Sequence, residues 1–188
     1  DWDEFMQYAA QLSDPATNYY GTVLASGPQA AYDWLPLLWA AGGDAVVWDE
    51  AAQQWKAAFA SEAGVDAAEY YLKILNTPWT DKHGRPQEGY SMRDGDWGYY
   101  WTEGKIAMRM DYLSQQNMGG RYDPNLYGFA PAPQGPAGKG GSEINCRMMG
   151  IFSGAGISNN AGLGDRNAAE VRQAAWEYIK FYDSEEAR

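Results

Sequence analysis

The sequence predicts an α/β fold on three observations. Stretches of helical period alternate with short β-branched or aromatic runs, Gly and Pro punctuate most boundaries, and 188 residues are enough to bury a core. In residues 3–12, Phe5, Met6, Ala9 and Leu12 recur at helical spacing behind Asp1, Asp3 and Glu4, whose charges suit the positive end of a helix dipole. Asp14-Pro15 stops that helix, and residues 19–24 read as a short strand ending at Ser26-Gly27-Pro28. Tyr32, Leu35, Leu38 and Trp39 define a helix over 29–41, kinked at Pro36 and capped by Gly42-Gly43. Val46-Val47-Trp48 and residues 55–59 read as two strands around a turn, against a competing helical preference of Ala and Gln.

Ser61 is placed to cap a helix through Leu75, with Val65, Ala68, Leu72 and Leu75 as its apolar stripe, Tyr71 and Ile74 beside it, and Thr77-Pro78 as its end. A polar loop over 79–90 leads to a helix over 93–103, closed by Gly104, and to strands over 105–111 and 126–130. Residues 131–141, rich in Pro and Gly, read as the most linker-like stretch. Residues 147–158 suggest a buried strand. Asn167 and Glu170 open the clearest helix, with Val171, Ala175, Tyr178, Ile179 and Tyr182 on one face.

Composition excludes several functions. Fourteen Lys+Arg against 25 Asp+Glu give a net charge of −11, which opposes binding to nucleic acid or an anionic membrane. No run approaches the roughly 18 apolar residues of a membrane span, so direct membrane insertion is not expected. The chain starts at Asp1, as it would after removal of an export segment or as an excised piece of a longer protein. Cys146 and His83, each the single residue of its type, exclude a disulfide framework, a multi-cysteine zinc site and a histidine-rich metal cluster. Cys146 lacks a neighbouring base and reads as an inert thiol, and His83 as a solvated loop residue. Asp94 and Asp96 lack the further donors of a calcium loop, and the glycines at 138–141 and 150–156 lack the Gly-Lys-Ser/Thr ending of a phosphate loop. Neither a cofactor, a metal nor a catalytic residue is expected.

What remains is a surplus of rings: 9 Trp and 14 Tyr against 5 Phe. Amphipathic rings suit a surface that stacks on apolar C–H faces while carboxylates and amides bind hydroxyls, the combination a sugar requires. Tyr32-Asp33-Trp34 and the set Trp97, Tyr99, Tyr100 and Trp101 combine rings with acids, although most rings must serve the core.

The order of motifs resembles the extracellular solute-binding proteins of carbohydrate ABC transporters, the maltose-binding-protein-like family 1. Asp1-Trp2-Asp3-Glu4-Phe5 is similar to the opening of that family's C-terminal lobe, and residues 35–43 to a helix ending in Gly-Gly. Gly104-Lys105-Ile106-Ala107-Met108, residues 127–133 and residues 175–181 follow in the same order. The resemblance implies a periplasmic-binding-protein-like lobe, a short mixed sheet flanked by helices in an incomplete two-lobe architecture, with 1–125 as most of the C-terminal lobe and 126–188 as the crossing strand and returning segment of the N-terminal lobe. A full member is about twice this length, so the chain is expected to be a fragment with weak or absent ligand binding of its own.

By position, the resemblance implies ligand contacts from Tyr32, Asp33, Trp34, Asp111, Tyr112, Ser114 and Glu143. Tyr112 stands in for a Trp that many members carry. The implied function is non-enzymatic capture of a sugar or oligosaccharide in an interlobe cleft, hinge closure around it, and delivery to an ABC permease in the membrane. A monomer outside the cell or in the periplasm is implied, a lipoprotein anchored through the missing N-terminus. The alternative is a carbohydrate-active enzyme or lectin-like module using the same rings with paired carboxylates. The net charge favours a neutral ligand, since an anionic one would need Arg93, Arg109, Arg121 or Arg147 nearby.

Overall fold

The computed structural model describes residues 1–25, 27–92, 97–111, 127–142, 149–151 and 167–187. Among them the α/β class holds, with helices α1 (Trp2–Leu12), α2 (Ala30–Ala40), α3 (Glu62–Asn76), α4 (Trp97–Thr102) and α5 (Ala168–Tyr182). The strands are β1 (Thr22–Val23), β2 (Val46–Asp49), β3 (Gln54–Ala57), β4 (Pro78–Thr80), β5 (Pro86–Glu88) and β6 (Ser91–Met92). The chain divides into two compact units, Asp1–Glu143 and Ile144–Arg188. The boundary expected between 125 and 126 lies outside the described residues.

In the first unit, α1, α2 and α3 enclose the core. The start of α1 is a capping box: the Asp1 carboxylate accepts from the Glu4 backbone N–H at 2.9 Å, and the Glu4 carboxylate accepts from the Asp1 amino group at 2.7 Å. Phe5, Met6 and Ala9 are buried as the spacing predicts, whereas Leu12 is half exposed because the helix has run past the core edge. Helix α2 buries Leu37 and Leu38, and Gly42 takes the left-handed conformation (φ +90°) that ends it.

The expected stripe of α3 is wrong by about one position. Val65 and Leu72 are exposed, and the buried face is Gly64, Ala67, Tyr70 and Ile74. Close approach explains the rotation, since a Cβ on Gly64 would lie 1.9 Å from the Phe59 carbonyl oxygen. Tyr70 satisfies burial of its hydroxyl by donating to the Trp2 carbonyl at 2.8 Å, and its ring stacks on Trp2 with centroids 4.2 Å apart. Ser61 caps the helix as expected, accepting from Gly64 N–H at 3.2 Å.

The sheets are minimal. β1 pairs with β6 in parallel, Thr22 opposite Ser91, and Tyr20 makes a parallel bridge to Ile106 on its other side. The strand expected over 105–111 is therefore only this bridge, and described residues 127–130 form no strand. β2 and β3 form the expected antiparallel hairpin, with Trp48 opposite Trp55.

The polar loop expected over 79–90 is instead the hairpin β4–β5, organised by Asp81. Its carboxylate accepts from the backbone N–H of His83 (2.8 Å) and Arg85 (2.9 Å), from Arg85 Nε (2.9 Å) and from Gln87 Nε2 (3.1 Å). Burial opposes ionisation of Asp81, but these bonds outweigh it and hold the carboxyl at about 2.

The stretch expected to be a linker is a strap packed on the helices. The Gln134 carbonyl accepts from Trp2 N–H at 3.1 Å, and Ala137 N–H donates to the Ala40 carbonyl at 3.2 Å. Glycines permit the contact: a Cβ on Gly135 would lie 2.7 Å from the Ala40 oxygen, and one on Gly141 would lie 1.7 Å from the Pro36 oxygen.

In the second unit, the Asn167 side chain caps α5 by accepting from Ala169 N–H at 2.9 Å. Val171, Ala175 and Ile179 are half-buried, while Tyr178 and Tyr182, expected on the same face, are exposed. Most of the expected strand over 147–158 lies outside the described residues; of residues 149–151, none is in a strand and Met149 is exposed.

Candidate functional site

The first two turns of α2 carry Tyr32, Asp33 and Trp34, and the fold puts Asp33 in electrostatic reach of Arg109 and Asp111, which follow the Tyr20–Ile106 bridge. Asp33 Oδ2 accepts from Ala25 N–H at 2.5 Å, and the Tyr71 hydroxyl on α3 donates to the Ala25 carbonyl. Ala25, in the loop before α2, is thus held at both its N–H and its carbonyl. Burial holds the Asp33 carboxyl above the ordinary carboxylate range, with the Ala25 N–H and Arg109 opposing that shift and Asp111 adding to it. Burial and the Asp33 charge push the Tyr71 phenol up to about 12, so it remains a donor at neutral pH.

Arg109 is nearly buried and bonds Asp111 Oδ2 at 2.7 Å. Burial lowers its pKa while both carboxylates raise it, and it stays charged. Its guanidinium lies 5.9 Å from the Trp101 ring centroid, and that ring lies 5.1 Å from Tyr127. Two carboxylates and one guanidinium meet a pair of rings, so the site offers hydrogen-bond acceptors beside apolar faces and carries a net negative charge. Such an arrangement suits a neutral polyhydroxyl ligand better than an anion.

The expected residues divide as follows. Tyr32 is half exposed on α2. Trp34 packs its ring edge-to-face on Phe59 at 6.2 Å, and its indole N–H is buried without an acceptor among the described residues, a donor that a ligand oxygen could satisfy. Asp33 and Asp111 share one electrostatic cluster. Tyr112, Ser114 and Glu143 lie outside the described residues, as do Arg93, Arg121 and Arg147. Sequence reasoning missed Tyr71, which it placed beside a helix stripe, and the pairing of Arg109 with Asp111. An Arg two residues from an Asp at the end of a strand-like run was the available signal.

A separate open groove of about 840 Å³ is lined by Leu12, Asp14, Tyr19, Trp79 and Lys82 among others, and by none of the expected site residues. There Asp14 is paired with Lys82 at 2.7 Å and lies 3.7 Å from Nε2 of His83, whose side chain stays half exposed to solvent as the sequence suggests. Among the described residues no group of three His, Cys, Asp or Glu side chains could hold a metal, and no helix is long and apolar enough to cross a membrane.

No family model and no curated protein matches this chain. Among solved structures it is similar to an ABC transporter solute-binding protein from Thermotoga lettingae TMO bound with α-D-tagatose, at 22% identity and a TM-score of 0.42, over 57% of this chain. This chain spans 26% of the length of that protein.

Proposed function

We propose that the chain is part of the substrate-binding component of an ABC importer, capturing a neutral sugar or oligosaccharide and delivering it to a membrane permease. It acts as a binding protein outside the cell or in the periplasm, tethered by a lipid, with no catalytic step. The observation that carries this reading is the electrostatic coupling of Asp33 to the Arg109–Asp111 pair, about two fifths of the chain away in sequence, at the two positions where the family resemblance implies ligand contacts. Trp101 and Tyr127 beside them supply ring faces, and Trp34 and Tyr32 extend the apolar side. In this reading the first compact unit supplies one wall of a cleft, and Tyr112, Ser114 and Glu143 complete its contacts.

The test is calorimetry with neutral mono- and oligosaccharides on this chain and on the parent protein in which it is continuous with a complete first lobe. Micromolar binding by the parent, with this chain alone far weaker, is the expected result. Asp33→Ala or Asp111→Ala in the parent should weaken binding at least tenfold, as loss of a hydrogen bond to a charged group does. Turnover of the sugar, abolished by either substitution, would overturn the reading in favour of an enzyme.

A further inference from the structure

The hairpin β2–β3 has an exposed apolar face that neither the core nor the candidate site uses. Side chains alternate along a strand and cross-strand partners share a face, so the register places Val46, Trp48, Trp55 and Ala57 on one side and Val47, Asp49, Gln54 and Lys56 on the other. Val46, Trp48 and Trp55 are exposed, Trp55 to 66%. The two tryptophans pack edge-to-face with centroids 5.6 Å apart, and Lys56 pairs with Asp49 on the opposite face. These contacts hold the hairpin without a core beneath it. Among the described residues the sheet has two strands only, so the outer edges of both are unpaired.

Charge decides what such a face accepts. Asp44 and Glu50, both exposed, flank β2, while Asp49 lies on the opposite face and is paired with the one lysine of the hairpin. A second copy would bring the same acids and a net charge of −11 against its own, and an anionic membrane is repelled for the same reason. We infer that this hairpin is a docking surface for an extended, basic segment of a partner protein, which adds to a strand edge while its apolar side chains cover Trp48 and Trp55 and its Lys or Arg residues meet Asp44 and Glu50. Trp is among the residues that most often dominate such interfaces, and strand addition supplies backbone bonds in register.

The probe is a synthetic peptide of alternating Val and Lys, titrated into the full chain with tryptophan fluorescence as readout, beside the same peptide with Glu for Lys. Saturable binding of the Lys peptide alone, weakened at least tenfold by Trp55→Ala and several-fold by the paired exposed substitutions Asp44→Lys and Glu50→Lys, is expected. The charge-reversal variant keeps the test decisive if Trp55→Ala melts the hairpin. Lys-peptide affinity unchanged in Asp44→Lys/Glu50→Lys would overturn the inference. So would a concentration-dependent dimer in sedimentation, or retention on phosphatidylcholine vesicles, that Trp55→Ala abolishes.

Discussion

Asp33 is the residue on which local structure and ligand chemistry conflict. Its carboxylate fixes the loop before α2 through Ala25, yet burial penalises its charge, so its pKa in the folded protein lies above that of the unfolded chain. A raised acid binds more protons folded than unfolded, so the stability linked to it is full below the unfolded value near 3.9 and is lost as pH rises through the folded value. Asp33→Asn keeps an oxygen to accept from Ala25 without the buried charge. It should raise Tm by a few degrees at pH 7 and leave Tm unchanged near pH 3, while weakening the proposed sugar binding. Thermal melts of the two proteins across that pH range check the first part, and a gain that persists at pH 3 would remove burial of charge as its cause.

At the scale of elements, α3 separates what hydrophobicity alone predicts from what packing selects. Leu72, on the expected stripe, is 54% exposed, and Ile74, placed beside it, is fully buried. Leu72→Ala should therefore change stability by no more than about 0.5 kcal/mol, whereas Ile74→Ala should cost about 3 kcal/mol, or roughly 6–12 °C in Tm. Chemical denaturation of both variants distinguishes the two faces. Caps and turns with a local cause were legible: Ser61, Asn167, the glycines after α2 and the β2–β3 hairpin stand where the sequence put them. The face of α3 was not, because Gly64 and Ala67 face inward for their smallness and Tyr70 for a hydroxyl partner 68 residues away. The β4–β5 hairpin was hidden for a related reason. Its stability comes from a charged residue, Asp81, satisfying four donors, and not from an alternating apolar pattern. Of the candidate site, Asp33 and Asp111 are singled out by position in the sequence and their electrostatic coupling is not, while Tyr71 acts through a tertiary contact that spacing cannot show.

The whole first unit depends on a segment whose composition suggested the opposite of structure. Pro and Gly in residues 131–141 remove regular hydrogen bonding, which is why the stretch read as a linker, but the same absence of side chains lets its backbone lie directly on α1 and α2. The strap then joins the N-terminus of α1, through Trp2, to the C-terminal half of α2, through Pro36 and Ala40, so that the helix bearing Asp33 is held from its far end. Gly141 is the tightest point, with a Cβ position 1.7 Å from a backbone oxygen that no rotamer change can move. Gly128 stands just before the strap with nothing within 4 Å of its Cβ position, and neither residue has a positive φ. Gly141→Ala should therefore cost about 1–3 kcal/mol by overpacking, several degrees in Tm, and expose the chain to trypsin after Lys139. Gly128→Ala should leave both measurements at the unsubstituted chain's values. A flexible linker would show neither effect in either variant, so the pair of substitutions decides whether residues 131–141 bind the unit together or merely pass over it.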